Sequence, residues 1–276
     1  MNVVGKTVLI TGSTDGVGRL VALRLAEAGA RVLLHGRSQE KGERVQGELR
    51  AATGSDRLEY YRADFSALDE VRRLAAAVTA QHERIDLLIN NAGIGFGPRD
   101  GQHRELSADG YELRFAVNYL AGFLLTHRLL PAIRRSAPAR IVNVSSLGQQ
   151  PIDFADVMLA KAYDGVRAYR QSKLAQIMFT IDLAAELAGA GVAVHALHPA
   201  TYMNTNMVVE SGIKPTSTVE QGADAILHVA TADLGGETGL FFDGKRPVHA
   251  NAQAYDPAAR RRLRDLSLQL TGLAGG

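Results

Sequence analysis

Short apolar, β-branched runs alternate with longer helix-forming stretches along this chain, and that alternation is the strongest constraint on its fold. Residues 7–11 read as a strand and 17–28 as a helix closed by Gly29. A strand at 31–35 precedes a helix at 39–52, a strand at 58–63 precedes a helix at 68–81, and a strand at 85–90 precedes a helix around 111–134. Residues 140–145 form the next strand, leading through a loop to a helix at 166–186. A strand at 192–198 is followed by a polar loop, a helix at 219–231 and a last strand near 240–242. Strands this apolar belong in a parallel sheet covered by helices on both faces, with right-handed crossovers.

The chain's 276 residues suit one large domain with a sizeable core, and no linker, repeat or low-complexity tract divides them. A net charge of +2 gives no reason to expect a polyanionic partner. The absence of cysteine excludes disulfides and thiolate zinc sites and fits a reducing compartment. The eight histidines are scattered without a His-Glu-x-x-His pattern, so no metal is expected. No apolar run approaches the roughly 18 residues that span a bilayer. Residues 5–10 already read as the first strand rather than a signal peptide, so a cytoplasmic protein without a membrane partner is expected. The tail at 257–273 reads as a helix carrying Arg260, Arg261, Arg262 and Arg264. Four arginines without interleaved aromatics fit the solvated face of a docked helix better than a nucleic-acid patch.

The segment Thr11-Gly12-Ser13-Thr14-Asp15-Gly16-Val17-Gly18 joins the first strand to the first helix. Glycines there let the backbone turn tightly against a pyrophosphate resting on the helix N-terminus, so a Rossmann-type doubly wound domain is expected. The Gly-x-x-x-Gly-x-Gly spacing departs from Gly-x-Gly-x-x-Gly and points to a particular branch of that fold. The second strand ends at Leu33-Leu34-His35-Gly36-Arg37, with no acidic residue to hold the 2′-hydroxyl of NAD. Arg37 suits a 2′-phosphate instead, with Arg19 placed to assist, so NADP(H) is expected ahead of NAD(H); the charge of Asp15 nearby opposes this. Asp64 and Phe65, after the third strand, are placed to contact the adenine. After the fourth strand, Asn90, Asn91, Ala92 and Gly93 combine small residues for close approach with amides able to hold neighbouring strands.

Tyr169 and Lys173 stand four residues apart in Ala168-Tyr169-Arg170-Gln171-Ser172-Lys173, on one face of the expected helix. A free tyrosine, with a pKa near 10, is a poor base at neutral pH. A fixed ammonium close by favours the phenolate and is expected to draw that pKa down. Tyr163 also stands four before a cation, Arg167, but arginine does not release its proton.

Taken together, these pieces resemble the short-chain dehydrogenase/reductase family over nearly the whole chain. The matching residues are Thr11 to Gly18, Asp64, Asn90 to Gly93, Asn118, Ser145-Ser146, Tyr169 to Lys173 and His198-Pro199. Arg114-Phe115-Ala116-Val117-Asn118-Tyr119-Leu120, Ala168 to Ala175 and the ending Leu266 to Leu273 resemble its retinol-dehydrogenase and WW-domain-oxidoreductase branch. Pro199-Ala200-Thr201 stands where the family usually has Pro-Gly, beside the nicotinamide carboxamide. Membrane-bound retinol dehydrogenases usually carry an apolar N-terminal anchor; none is read here, which weakens the expectation of a retinoid substrate.

The resemblance implies Tyr169 as general acid/base, with Lys173 as its pKa partner and a ligand of the nicotinamide ribose. It implies Ser146, rather than Ser145, as the hydroxyl that holds the substrate oxygen, and Asn118 as the holder of a proton-relaying water. Pro199 and Thr201 are implied near the nicotinamide. Relatives often pair through the Tyr169 helix and its neighbour, so a homo-oligomer stays open. Substrate recognition is expected from the loops at 95–106, 147–166 and 202–217. The last contains Met203, Met207, Val208 and Val209, which read as an apolar lid or as packing of a short helix. A medium or large apolar carbonyl compound or alcohol is the expected substrate. The alternatives are a catalytically silent cofactor sensor, against which the filled catalytic positions argue, and an extended-branch epimerase or dehydratase, against which chain length and glycine spacing argue.

Overall fold

The computed structural model describes residues 1–96, 103–210 and 212–273. The chain lays down β1 (Thr7–Ile10), α1 (Gly16–Glu27), β2 (Arg31–Gly36), α2 (Gln39–Thr53), β3 (Leu58–Arg62), α3 (Leu68–Gln81) and β4 (Leu87–Asn90). A short α4 (Leu113–Phe115) runs through a π turn (Ala116–Leu120) into α5 (Ala121–Arg134). β5 (Ala139–Val144), α6 (Gly165–Glu186), β6 (Val192–His198), α7 (Asn206–Glu210), α8 (Val219–Thr231), β7 (Phe241–Asp243), β8 (Arg246–Val248) and α9 (Pro257–Thr271) follow.

The strands form one sheet in the order β3-β2-β1-β4-β5-β6-β7-β8. All neighbours pair in parallel except β7 and β8, which are antiparallel. The order reverses between β1 and β4, the topological switch point where such sheets bind ligands beyond their carboxyl ends. Strand residues alternate between two cores. Leu9, Leu33, Leu88, Ile141 and Val194 meet α3, α5 and α6, while Val8, Ile10, Val32, Leu34 and Val142 meet α1, α2 and α8. The chain is thus a single α/β domain with helices on both sheet faces.

Several expectations are corrected. The sheet does not end near 240–242: β8 adds an antiparallel edge strand, its exposed Arg246-Pro247 showing no apolar alternation. The 111–134 helix is interrupted at Asn118 by the π turn, and the 202–217 loop contains α7. The arginine-bearing helix α9 docks against α6 and the π turn. Arg260 Nε donates to Asp182 Oδ1 at 2.6 Å, Arg262 lies over the Phe154 ring at 4.9 Å, and Tyr119 and Ser267 share a 2.7 Å hydroxyl contact. Among the described residues no helix is long and apolar enough to cross a membrane, and no cluster of side chains could hold a metal ion.

Candidate active site

The glycine-rich turn is packed tightly against the residues that follow β4. Gly12 has φ +65°, and a Cβ there would lie 2.8 Å from Ala92 Cα. A Cβ on Gly18 would lie 2.3 Å from Gly12 O and 2.5 Å from Asn91 Nδ2. Asn91 locks the two segments together, its Nδ2 donating to Thr11 O at 2.9 Å and Gly12 O at 3.0 Å. Thr11 Oγ1 in turn accepts from the amides of Asn91 and Ala92. α1 is capped by Asp15, whose carboxylate accepts from Gly16 N. Helical geometry leaves the first-turn amides of Val17 and Gly18 without an intrahelical acceptor, which suits an anionic diphosphate. This cradle fits a dinucleotide.

His35 braces the turn, a role the sequence pattern does not reveal. Its Nδ1 accepts from Gly12 N at 3.1 Å, so its Nε2 carries the proton and donates to Ala63 O at 3.1 Å. Ser13 exchanges hydrogen bonds with the His35 backbone, its Oγ accepting from His35 N at 2.9 Å and its N donating to His35 O at 2.9 Å. Burial pushes the His35 pKa down from 6.5 to about 4, so the ring is neutral at neutral pH. Phe65, expected at the adenine, is buried with its ring stacked 4.3 Å from His35.

At the adenosine end Arg37 is exposed, and its guanidinium has no ion pair among the described residues. Arg19 Nη2 is paired with Glu48 at 2.9 Å across α1 and α2. Asp15 is neutralised by Lys41, whose Nζ lies 2.5 Å from Oδ2. Burial raises the Asp15 pKa and the Lys41 and Gly16 hydrogen bonds lower it, with a net fall. Thr14 packs so closely on Gly36 that a Cβ there would meet its Oγ1 at 2.7 Å. Asp64 closes the turn after β3, its Oδ1 accepting from Ser66 N at 2.9 Å.

The chemical centre forms where β5 and α6 meet. Asp164 caps α6 by accepting from Arg167 N at 2.7 Å, and the helix then presents Tyr169 and Lys173 on one face, Lys173 Nζ lying 5.6 Å from the Tyr169 ring centroid. The two serines after β5 separate cleanly. Ser145 Oγ donates to Lys173 O at 2.7 Å and ties the strand to α6, whereas Ser146 stands beside the Tyr169 ring, its Oγ accepting from Gly148 N at 3.0 Å. A Cβ on Gly148 would meet both Ser146 Oγ and Tyr169 Cε1, so the glycine keeps that corner open.

Lys173 does not draw the Tyr169 pKa down in this state. Burial raises the phenol above its ordinary value of 10, the nearby Ser146 hydroxyl partly offsets that, and Tyr202 adds to the rise. Lys173 is itself almost fully buried, and burial alone pushes its ammonium from 10.5 to about 7. Nζ points to Val144 O at 3.0 Å and Gln176 Oε1 at 3.1 Å. Asn118 sits in the π turn with its side-chain amide fully used: Oδ1 accepts from Ile94 N at 2.7 Å, and Nδ2 donates to Ile94 O at 3.1 Å and Ser172 Oγ at 3.0 Å. Its side chain therefore fixes the loop segment that follows Gly93. A Cβ on Gly93 would lie 3.2 Å from Asn118 Oδ1 and 3.5 Å from Lys173 Nζ, which places the end of β4 directly over the lysine. After β6, His198 Nε2 and Thr201 Oγ1 are 3.0 Å apart, and Pro199 lies between them in sequence.

Residues 6–215 match the family model described as short chain dehydrogenase. Human retinol dehydrogenase 11 is 38% identical over 281 residues, covering 98% of this chain and 86% of its own length. The chain belongs to the short-chain dehydrogenase family. Within that family its likeness is to the retinol dehydrogenase branch, and it is an NAD(P)-dependent oxidoreductase acting on CH–OH and C=O groups. Among solved short-chain dehydrogenase folds, a protein from Mycobacterium paratuberculosis described as putative and uncharacterized superposes with TM-score 0.81 at 31% identity, covering 98% of this chain and 94% of its own. The Pseudomonas aeruginosa RhlG/NADP active-site complex gives TM-score 0.71 at 28% identity, covering 88% and 95%.

As a short-chain dehydrogenase the chain surrounds Tyr169 with three loops. The expected loop at 95–106 falls partly on residues 97–102, outside the described residues. Phe96 meets the Tyr169 ring edge-on at 6.0 Å. Leu147, Tyr202, Met207 and Val209 are large apolar side chains left exposed. Tyr202 has φ +45°, a left-handed backbone that strains a non-glycine residue and that often marks a functional loop. Met203 belongs to packing rather than to a lid, because it fills the notch above Gly222 on α8. A buried clasp joins the first two loops: Glu112 Oε1 accepts from Tyr163 OH at 3.1 Å, Arg114 Nη2 meets Glu105 at 3.1 Å, and Arg114 Nε donates to Gly95 O at 3.2 Å. Tyr163 is thereby committed to the clasp.

Proposed function

We propose that residues 1–276 act as one NADP-dependent oxidoreductase domain that interconverts a carbonyl and an alcohol on a medium-to-large apolar substrate. The observation that carries this reading is the convergence of Ser146, Tyr169 and Lys173 beside the end of β4, next to a glycine cradle fit for a dinucleotide.

Gly12, Ser13, Thr14, Gly16, Val17 and Gly18 hold the diphosphate, Asn91, Ala92 and Gly93 line the cofactor's path across the sheet, and Asp64 borders its adenine end. A bound nicotinamide supplies or takes up the hydride. In reduction, the Tyr169 phenol gives its proton to the carbonyl oxygen while the Ser146 hydroxyl donates a hydrogen bond to the same oxygen as negative charge builds. Run in reverse, Tyr169 takes the alcohol proton. Lys173 holds the ribose and, when charged, favours the phenolate. Asn118 keeps the Gly93–Ile94 loop segment in place over Lys173.

The NADP preference rests on Arg37, exposed and without an ion pair among the described residues, and on Gly36, where Thr14 leaves no room for an acidic side chain. The substrate class rests on the exposed apolar side chains of the loops at this edge. The test is a panel of ketones, aldehydes and alcohols followed at the nicotinamide absorbance with NADPH and NADH in parallel. Turnover of apolar members with NADPH supports the reading. Preference for NADH contradicts the role of Arg37, and cofactor binding without any turnover favours a cofactor sensor instead.

A further inference from the structure

Gln176 stands at the centre of the site, yet none of the roles above uses it. It lies one turn beyond Lys173 on α6 and is 5% exposed. Its Oε1 accepts a hydrogen bond from Lys173 Nζ at 3.1 Å, and Val144 O accepts another at 3.0 Å. An ammonium has three donors, so two are held by the protein and one remains for an incoming ligand.

Both acceptors are neutral. The ionisable groups facing Lys173 are Tyr169 on its own helix and His198 at the end of β6, whose proton affinity Lys173 lowers. On the side after β4, Gly93 separates it from the uncharged amide of Asn118. Among the described residues no carboxylate acts on the lysine, and burial works against its charge. Hydrogen bonding to the charged form is then the means left to keep it protonated. Val144 contributes a backbone carbonyl, common to any side chain at that position. Gln176 is the partner set by residue choice.

We propose that Gln176 is a positioning residue for Lys173, its amide oxygen fixing where the ammonium sits and how firmly it keeps its proton. The proposal rests on the reading of Lys173 as the cationic partner of Tyr169. It makes opposite predictions for two substitutions of similar size. Gln176→Glu sets a carboxylate against the ammonium and strengthens its hold on the proton; Gln176→Met removes the acceptor and weakens it.

The test follows the Lys173 side-chain NMR signal against pH in cofactor-free protein, with Lys173→Met to assign it, and in parallel the pH profile of kcat/KM. In Gln176→Glu the Lys173 midpoint is expected to rise by about one pH unit or more, and in Gln176→Met to fall. The alkaline limb of the activity profile is expected to move the same way in each. Should Gln176→Met not fold, the near-isosteric Gln176→Glu carries the test alone. An unmoved midpoint in Gln176→Glu, or shifts of the same sign in both variants, overturns the proposal. Midpoints that move as expected while the activity profile stays fixed support the role of Gln176 and count instead against Lys173 in catalysis.

Discussion

Asp15 Oδ2, on the turn between β1 and α1, accepts a hydrogen bond of 2.9 Å from Asn206 Nδ2 on α7. The short helix bearing Met207 and Val209 is thereby tied to the turn that fits the cofactor's diphosphate. Two further contacts run the same way: a Cβ on Gly16 would meet Thr205 Cγ2 at 3.2 Å, and one on Gly95 would meet Met207 Cγ at 3.1 Å. α7 thus bridges the glycine-rich turn and the loop after β4.

The Asp15–Asn206 bond is exposed and worth about 1 kcal/mol. Asn206→Ala is expected to speed NADPH dissociation by about fivefold in stopped-flow displacement, with the thermal midpoint essentially unchanged. Asp15 is the wrong position to alter, because it also caps α1. An unchanged off-rate contradicts a holding role for this contact.

Acid destabilises the protein through buried histidines. His35 and His195 have folded-state pKa values pushed from 6.5 to about 4, chiefly by burial, with Arg140 adding to the fall at His195. A histidine with a depressed pKa favours the folded state above pH 6.5, and that contribution is lost as pH falls toward 4, where the unfolded chain binds the proton first. Neither ring nitrogen of His195 has a hydrogen-bond partner among the described residues. His195→Leu is expected to remove about 2 kcal/mol of the stability lost between pH 7 and pH 5, without loss at pH 7, as read from urea midpoints. An undiminished acid loss in the variant contradicts the assignment.

Much of the site is legible in the sequence, because glycines without room for a Cβ and a Tyr/Lys pair at helical spacing are local patterns. The strand alternation likewise reports burial on both sheet faces. What stays hidden depends on distant contacts. His35 looks like any histidine in an apolar strand until Gly12 and Ala63 close on its two nitrogens. The π turn at Asn118 leaves no mark in a continuous helical pattern, and β8 is too short and exposed to alternate. Lys173 was expected to act through its charge, but the burial that brings it near Tyr169 also weakens that charge.

The clasp between the first two substrate loops is expected to matter for stability as well as for binding. Glu112 is 1% exposed and receives Phe115 N at 2.7 Å as well as Tyr163, with Arg114 Nη1 at 3.7 Å. Glu112→Gln leaves the buried Arg114 guanidinium dependent on Glu105 and Gly95, and is expected to cost about 3 kcal/mol in urea unfolding. KM for an apolar substrate is expected to rise more than kcat falls. A loss below about 1 kcal/mol contradicts a structural clasp.

The proposed NADP preference rests on Arg37. Arg37→Ala is expected to weaken NADPH binding by about 10- to 100-fold, the value of charged hydrogen bonds to a phosphate, and to leave NADH binding within about twofold. Fluorescence titration with both cofactors measures this. Equal losses for the two contradict 2′-phosphate recognition.

The central claim is that Tyr169 exchanges the proton with the substrate oxygen. Single-turnover reduction of an apolar carbonyl substrate by Tyr169→Phe, with NADPH affinity measured on the same protein, tests it most directly. The expected result is a rate lower by about 10²- to 10⁴-fold with NADPH binding preserved. A Tyr169→Phe protein that reduces substrate at the parent rate contradicts the account.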